Sequence, residues 1–189
     1  MLRKCAVLGL VLGLLVLASP YLLAKDSKQD QQAKIRKSAQ STLKSLYKIN
    51  PSARTAIEKA AGYAVFNNFG MKILVAGGGS GKGVAVDNKT KREVFMKMVE
   101  VQAGLGFGVK KFNLVWVFET SQALDQFVNS GWEAGGQATA AATVDGQGGS
   151  FQGAIAIAPG VWLYQLTDKG LALELTVKGT KYTRDDDLN

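Results

Sequence analysis

Between residues 33 and 61 the chain alternates apolar and polar positions with the period of an α-helix. Apolar or small side chains recur at spacings of three and four residues, which places them on one face of a predicted helix over residues 33–49. They are Ile35, Ala39, Thr42, Leu43, Leu46 and Ile49. Asn50-Pro51 then ends this helix and starts a second one, with Asn50 as its N-cap, that runs from Ser52 to about Ala61.

From Gly62 onward the pattern changes to short β-branched and aromatic runs separated by glycine. The run 112–118 is almost continuously apolar, which predicts a central strand. Turns are predicted at Asn67-Asn68 and at 88–91, each between two such runs. The other predicted strands are 63–66, 71–76, 84–87, 93–101, 137–143, 150–158, 161–165 and 171–177.

One short helix interrupts the strands. Thr120 or Ser121 is its predicted N-cap, and Leu124, Phe127 and Val128 fall on its buried side. Strands at near-regular spacing with hairpin turns indicate antiparallel pairing. We therefore predict an α+β fold: an antiparallel, strongly curved sheet or barrel-like core with two N-terminal helices and one short internal helix.

The first 24 residues have the pattern of a secretory signal peptide. Two positive residues precede an uncharged, mostly apolar run over 5–24, and Ala18 and Ala24 offer cleavage sites. An uncleaved anchor is the alternative, because about 20 apolar residues can span a bilayer. Cys5 precedes the apolar run, whereas a bacterial lipoprotein carries its lipidated cysteine after it. We expect an exported protein, periplasmic or associated with the cell envelope, that is not a lipoprotein.

The composition of the chain argues against most classes of enzyme. The sequence contains no histidine, the commonest general base and zinc ligand, and Cys5 is its single cysteine. Glu100, Glu119 and Glu133 have apolar surroundings in the sequence, but nothing pairs two of them for acid–base work. The acidic run 185–187 lacks EF-hand spacing and is predicted to be a solvated tail. We predict no enzyme activity, no metal site and no cofactor.

The excess positive charge lies near the N-terminus. Residues 25–59 include nine Lys or Arg against three Asp or Glu, whereas residues 60–189 include twelve of each. A basic excess confined to one segment indicates a phosphate-bearing partner. An exported protein meets membrane headgroups rather than nucleic acid, so we predict an anionic membrane surface as the partner and no nucleic acid.

Lysines of the first predicted helix gather on the side opposite its apolar face. They are Lys34, Lys37, Lys44 and Lys48. Two interpretations remain open. Either the helix is docked on the core with its lysines in solvent, or it lies in a membrane interface with Ile35, Leu43 and Leu46 inserted and its lysines near phosphates.

Residues 76–83 form a glycine-rich segment that departs from a phosphate-binding P-loop at both ends. Ala76 stands where that motif requires glycine, and Gly83 stands where it requires Ser or Thr. We interpret the segment as a flexible hairpin loop or bulge. Its exposed amides and Lys82 are candidates for holding a lipid phosphate without catalysis.

Several short motifs follow the order seen in SYLF domains, and the chain resembles that family over about 35–189. They are Lys59-Ala60-Ala61-Gly62-Tyr63-Ala64-Val65-Phe66, the glycine-rich segment, Gly104-Leu105-Gly106-Phe107-Gly108, Val115-Trp116-Val117-Phe118, Gly160-Val161-Trp162-Leu163-Tyr164 and Gly179-Thr180-Lys181-Tyr182. The resemblance is to exported bacterial proteins of the Ysc84-related group. It implies a lipid-binding module without catalysis, whose basic amphipathic helix corresponds to 33–49 and whose expected ligands are anionic glycerophospholipids.

The predicted organisation is a signal peptide or anchor over 1–24, a basic amphipathic helical segment over 25–61 that is part of the domain, and a β-rich SYLF-like core over 62–189. The predicted function is non-catalytic binding of anionic phospholipid headgroups in the cell envelope, through the basic helix and the glycine-rich loop. The alternative is a structural or protein-interaction module of the envelope with no lipid ligand. The candidate lipid contacts are Lys34, Ile35, Lys37, Leu43, Lys44, Leu46, Lys48, Lys82, Lys110 and Lys111.

Overall fold

The computed structural model describes residues 26–73, 76–103, 108–134, 151–172 and 180–189. The helices in these ranges are α1 (Lys28–Ile49), α2 (Ser52–Lys59) and α3 (Ser121–Asn129). The strands are β1 (Gly62–Ile73), β2 (Ala76–Asp87), β3 (Glu93–Ala103), β4 (Gly108–Phe118), β5 (Trp132–Ala134), β6 (Ile155–Ala158), β7 (Val161–Thr167), β8 (Gly170–Ala172) and β9 (Thr180–Arg184). None of the three described helices is long and apolar enough to cross a bilayer.

The strands form one antiparallel sheet with the order β5-β9-β3-β2-β1-β4-β7-β6, and β8 pairs with β7. The predicted turn at 88–91 is confirmed between β2 and β3. There the carboxylate of Asp87 accepts hydrogen bonds from the backbone N–H groups of Lys89 and Thr90, each at 2.8 Å. These bonds, that from Thr90 above all, hold the pKa of Asp87 below its usual value.

The two faces of the sheet carry separate hydrophobic cores. Successive side chains of a strand point to opposite faces, so Phe66 and Trp116 belong to the inner core while Val65 and Val115 belong to the outer one. Three buried side chains of α3 close the inner core, and α1 and α2 cover the outer core. The predicted α+β fold, with its curved antiparallel sheet, two N-terminal helices and one internal helix, is confirmed.

Two further local predictions are confirmed. Thr120 is the N-cap of α3, and its hydroxyl accepts a hydrogen bond from Ala123 N at 3.2 Å. The apolar run 112–118 lies in β4, which pairs with β1 on one side and β7 on the other. The predicted leader over 1–24, the predicted strand at 137–143 and most of the predicted strand at 171–177 lie outside the described residues.

The predicted turn at Asn67-Asn68 is wrong, because both residues lie inside β1. Asn67 is directly opposite Asn113 of β4, and its Nδ2 donates to Asn113 Oδ1 at 2.6 Å. The same amide donates to the hydroxyl of Thr42 on α1 at 3.4 Å. The polar side chain is therefore satisfied between sheet and helix, which lets the strand continue through a residue that is typical of turns.

The predicted glycine-rich loop is also wrong. Residues 76–83 are the first part of β2 and pair along their whole length with β1 and β3. Gly83 is directly opposite Phe66, and a Cβ at position 83 would lie 2.5 Å from that ring. The glycine makes room for an aromatic side chain of the inner core, so its absence of a side chain serves packing.

The acidic run near residue 185 is not a solvated tail. Asp185 is 4% exposed and Leu188 is 2% exposed. The side chain of Asn189 donates to Phe95 O at 2.8 Å and accepts from Phe95 N at 3.0 Å, as a further strand would. The segment thus packs against β3 and the first half of α1, while Asp186 and Asp187 remain exposed.

Candidate lipid-binding surface

Helix α1 begins five residues before the start predicted from its apolar pattern. Ser27 is the N-cap: its hydroxyl accepts from Asp30 N at 3.1 Å, and the Asp30 carboxylate accepts from Ser27 N at 3.3 Å. This capping box satisfies two backbone N–H groups that the helix itself leaves without partners. The capping box therefore lets α1 begin at Lys28, in a polar stretch that precedes the apolar period of the helix.

The apolar face of α1 is docked on the outer face of the sheet. Leu46 is completely buried, and Ile35 and Ala39 are 9% and 5% exposed, all within the outer core. Leu43 is half-buried against the same core. Ile49 is the exception to the predicted apolar face, because half of its surface is exposed. The structure therefore has the docked arrangement of the two that the sequence left open.

Polar contacts fasten the first half of α1. Lys28 Nζ donates to Asn189 O at 2.6 Å, and Gln32 Nε2 donates to Leu188 O at 2.7 Å. Arg36 pairs with Glu93 of β3 at 2.7 Å, and its guanidinium lies 5.0 Å from the centre of the Phe95 ring. Lys28 and Arg36 are therefore engaged within the protein.

The outer face of α1 presents lysines to solvent along most of the helix. Lys34, Lys37, Lys44 and Lys48 are all exposed. Lys34 pairs with Asp26 at 2.7 Å, and this hydrogen bond raises the pKa of the lysine. Within the described ranges Lys37, Lys44 and Lys48 make no ion pair. No acidic residue occurs between Asp30 and Glu58, so nothing in this stretch of sequence neutralises them.

Two basic residues of α2 were missed by the search for single motifs, and one of them, Arg54, contacts α1. Arg54 lies 4.4 Å from the centre of the Tyr47 ring and pairs loosely with Glu58 at 3.7 Å. Lys59 is exposed at the end of α2. Burial raises the pKa of Tyr47 to about 12, so the ring beneath Arg54 stays neutral at physiological pH. The charge count over 25–59 included both residues, and it was the signal that pointed to them.

Lys82 lies on strand β2, beside the first half of α1, rather than on a loop. Its ammonium donates to Gln31 Oε1 of α1 at 3.0 Å and lies 3.6 Å from the carboxylate of Asp185. That carboxylate is almost buried, with 6% of the side chain exposed, so Lys82 compensates an internal negative charge. Lys110 and Lys111 lie on β4, and their side chains are outside the described part of the structure.

The outer face of α1 carries charged and polar side chains. After Asp30 the exposed polar side chains of α1 are ammonium groups, hydroxyls and amides, which are suited to phosphate oxygens. Glu100 is buried in β3, whereas Glu119 is exposed directly after β4. Among the described residues no three Cys, Asp or Glu side chains are grouped to hold a metal ion.

Comparison with known proteins identifies related chains. Residues 99–189 match the family described as "Ysc84: Las17-binding protein actin regulator". The chain is 32% identical over 169 residues to a protein of Aeromonas veronii named beta cell expansion factor A. The match covers 88% of this chain and 62% of that relative, so the chain spans less than two thirds of the relative's length.

The comparisons agree with the motifs that suggested a SYLF domain. Proteins of that family are known for lipid binding, and they are generally binding or regulatory modules without catalysis. The matched region begins in β3 and includes the motifs around Trp116, Trp162 and Tyr182. The resemblance is confirmed over the matched region: residues 99–189 belong to the Ysc84-related SYLF family.

Proposed function

We propose that this protein binds anionic phospholipid surfaces through the exposed lysines of α1 while the helix stays docked on the sheet. One observation carries the proposal: the apolar face of α1 is buried, and the opposite face presents Lys37, Lys44 and Lys48 without ion pairs in the described structure. A helix that carries no acidic residue after Asp30 attracts a negative surface along the rest of its length. The family's known lipid binding supports the same ligand class.

The geometry of the row suits a flat surface. At about 1.5 Å per residue, Lys37 and Lys48 are separated by roughly 16 Å along the helix axis. A lysine near an anionic membrane surface contributes about 1 kcal/mol. Three or four such contacts supply a binding free energy of several kcal/mol, which is enough for reversible association and is sensitive to salt.

Insertion of apolar side chains is not part of this proposal. Ile35 and Leu46 would have to leave the outer core before they reached lipid, which would expose the sheet beneath them. Burying such a side chain contributes about 1.5–3 kcal/mol, so undocking costs as much as lipid contact would return. Lys82 contributes less than the α1 row, because Asp185 already balances its charge.

We further propose that the protein acts outside the cytoplasm, in the periplasm or at the cell envelope. The support is the charged start and long apolar run of residues 1–24. In that compartment an anionic glycerophospholipid surface is the available partner. N-terminal mass spectrometry of the protein from a fractionated cell tests this part: an intact Met1 in the cytosolic fraction would contradict it.

Flotation with liposomes tests the binding itself. The purified protein is mixed with phosphatidylcholine vesicles that contain increasing amounts of phosphatidylglycerol, at 0.1 M and 1 M salt. We expect flotation to rise with the anionic fraction and to fall at high salt, because the Debye length shrinks from about 10 Å to about 3 Å. Equal flotation with neutral and anionic vesicles would contradict an electrostatic surface.

A protein-interaction module of the envelope is the second candidate. The description of the matching family names binding to another protein, Las17, and actin regulation. A docked α1 with a polar outer face is also compatible with a protein partner. The flotation series separates the candidates, since a module without a lipid ligand stays with the unbound fraction at every vesicle composition.

A further inference from the structure

A pocket of about 260 Å³ lies at the end of α2. Its walls are Ala56, Lys59 and Ala60 of α2, Glu119 after β4, and Phe151. Two of these residues have opposite charges and both are exposed. Within the described part of the chain neither Lys59 nor Glu119 makes an ion pair, although they line the same pocket.

The α2 wall is fixed by a side chain from the β2–β3 turn. Asn88 Nδ2 donates to Ile57 O at 2.7 Å and to Ala60 O at 2.9 Å, and Asn88 N donates to Ala61 O at 2.9 Å. These bonds satisfy carbonyl groups that the helix end leaves without partners. Lys59 therefore projects from a backbone that is held on both sides.

The Glu119 wall is fixed by the turn between β6 and β7. Glu119 N donates to Gly160 O at 2.9 Å. Gly160 has a φ of +70°, and a Cβ at that position would lie 3.4 Å from the Glu119 carboxylate. The glycine thus permits the left-handed turn that holds Glu119, whereas the space beside the carboxylate would admit a Cβ in ordinary contact.

The third wall is aromatic. Phe151 stacks on Trp162 of β7 with ring centroids 4.6 Å apart and planes 5° from parallel. Its carbonyl accepts from Ala154 N at 3.0 Å, which closes the turn that holds the ring. An aromatic face beside a carboxylate is a favourable place for an ammonium group, because both attract positive charge.

We infer that this pocket binds a small zwitterion in which a short linker joins an amine to a phosphate diester, the chemistry of a phosphoethanolamine headgroup. The amine meets Glu119 and the face of Phe151, and the phosphate meets Lys59. The volume is below the 300–1,000 Å³ range typical of drug-sized ligand pockets and suits a headgroup rather than a whole lipid. The choice of phosphate over carboxylate as the anion rests on the proposed membrane binding.

Glycerophosphoethanolamine is the probe for this inference, because it carries the diester and the amine without acyl chains. NMR titration of the purified protein should shift the amides of Lys59, Ala60 and Phe151. Ethanolamine alone and glycerol 3-phosphate alone should bind at least about tenfold more weakly, since each makes one of the two charge-assisted contacts. β-Alanine, a zwitterion with a carboxylate, should also bind more weakly.

Charge variants show whether the two walls act together. Lys59→Glu and Glu119→Lys should each weaken glycerophosphoethanolamine binding at least about tenfold. The double variant Lys59→Glu/Glu119→Lys should recover most of the affinity, because the zwitterion then binds in the reverse direction. Lys89→Glu, an equal charge change on an exposed turn, is the matched control and should bind as the wild type does.

Vesicles decide the source of the ligand. If it is a lipid headgroup, replacing phosphatidylcholine by phosphatidylethanolamine at constant phosphatidylglycerol should increase flotation of the wild type but not of Glu119→Lys. If glycerophosphoethanolamine binds and the vesicles make no difference, the ligand is a soluble zwitterion. Three results would overturn the inference. The first two are that glycerophosphoethanolamine binds no more strongly than ethanolamine or glycerol 3-phosphate, or that it binds less tightly than β-alanine. The third is that the double variant binds it no better than either single variant does. The salt-dependent flotation on phosphatidylglycerol is independent of these results, so either proposal can fail alone.

Discussion

The indole rings of Trp116 and Trp132 lie 6.0 Å apart, although β1, β2, β3 and β9 stand between their strands in the sheet. In a flat sheet, five strand steps of about 4.8 Å would separate them by roughly 24 Å. Phe127 of α3 and Tyr182 of β9 meet Trp116 at 5.4 and 5.1 Å. The sheet is therefore rolled around an aromatic core, and side chains rather than strand pairing bring its distant parts together.

Removal of the central ring of this core should destabilise the fold. Phe127 is completely buried and contacts Phe66, Trp116, Phe118, Trp132 and Tyr182. We expect Phe127→Ala to lower the free energy of unfolding by about 3–5 kcal/mol. Urea unfolding measures this change, with the exposed Gln126→Ala as the control on the same helix. A loss below about 1 kcal/mol would show that α3 does not close the inner core.

Two glycines of β2 distinguish a packed strand from a flexible loop. A Cβ at Gly83 would lie 2.5 Å from the Phe66 ring, whereas a Cβ at Gly78 would meet Glu100 O at an ordinary 3.5 Å. Gly83→Ala should therefore destabilise the protein by about 1–3 kcal/mol through overpacking. Gly78→Ala should be neutral or slightly stabilising. Equal effects in urea unfolding would contradict the assignment of this segment to a strand in this register.

Sequence reasoning succeeded where a local pattern has one physical meaning. The continuous apolar run that includes Trp116 predicted a central strand, and the pair Thr120-Ser121 predicted the start of α3. It failed where a residue type has two uses. Asn67 is typical of turns, yet a partner on the next strand satisfies it, and the glycines before Gly83 suit a loop as well as a crowded strand.

The candidate site shows the same limit. The lysines of α1 were found from charge and periodicity, because those depend on the helix alone. Whether Leu46 meets the sheet or a membrane was not decidable, since one amphipathic pattern serves both. The pocket between Lys59 and Glu119 is formed by residues 60 positions apart in the sequence, so no local motif predicts it.

Two residues three positions apart on α1 test whether the helix is docked. Leu46 is completely buried and Ile49 is half exposed. Leu46→Ser should lower the free energy of unfolding by more than about 2 kcal/mol in the absence of lipid, because it leaves a cavity and buries a hydroxyl. Ile49→Ser should change it by about 0.5 kcal/mol or less. If both variants unfold like the wild type, α1 is not docked in solution.

Alkaline pH should weaken the fold through its buried tyrosines. Burial raises the pKa of Tyr164 to about 12, and desolvation likewise raises the pKa of Tyr182. Tyrosine in an unfolded chain has a pKa of about 10, so the unfolded state loses its protons first as the pH rises. The contribution of the two buried phenols to the free energy of unfolding should be fully present below about pH 10. It should fall as the pH rises from about 10 to 12.

Tyr164→Phe isolates one of these groups. The Tyr164 hydroxyl is buried and has no hydrogen-bond partner in the described structure, so its removal should cost little at pH 7. The variant should lose less stability than the wild type between pH 9 and pH 11.5 in urea unfolding. Parallel curves for the two proteins over this range would contradict the burial of the phenol.

Flotation of a triple variant of α1 tests the proposed function most directly. Lys37→Glu/Lys44→Glu/Lys48→Glu is compared with Lys89→Glu/Lys97→Glu/Lys169→Glu, which makes the same charge change at exposed positions elsewhere. At about 1 kcal/mol per lysine, the α1 variant should bind phosphatidylglycerol vesicles at least about 100-fold more weakly than the wild type. Its melting temperature should stay within a few degrees, because these side chains point away from the core. The control should keep most of its binding; equal flotation of both variants, whether retained or lost, would contradict a binding surface on α1.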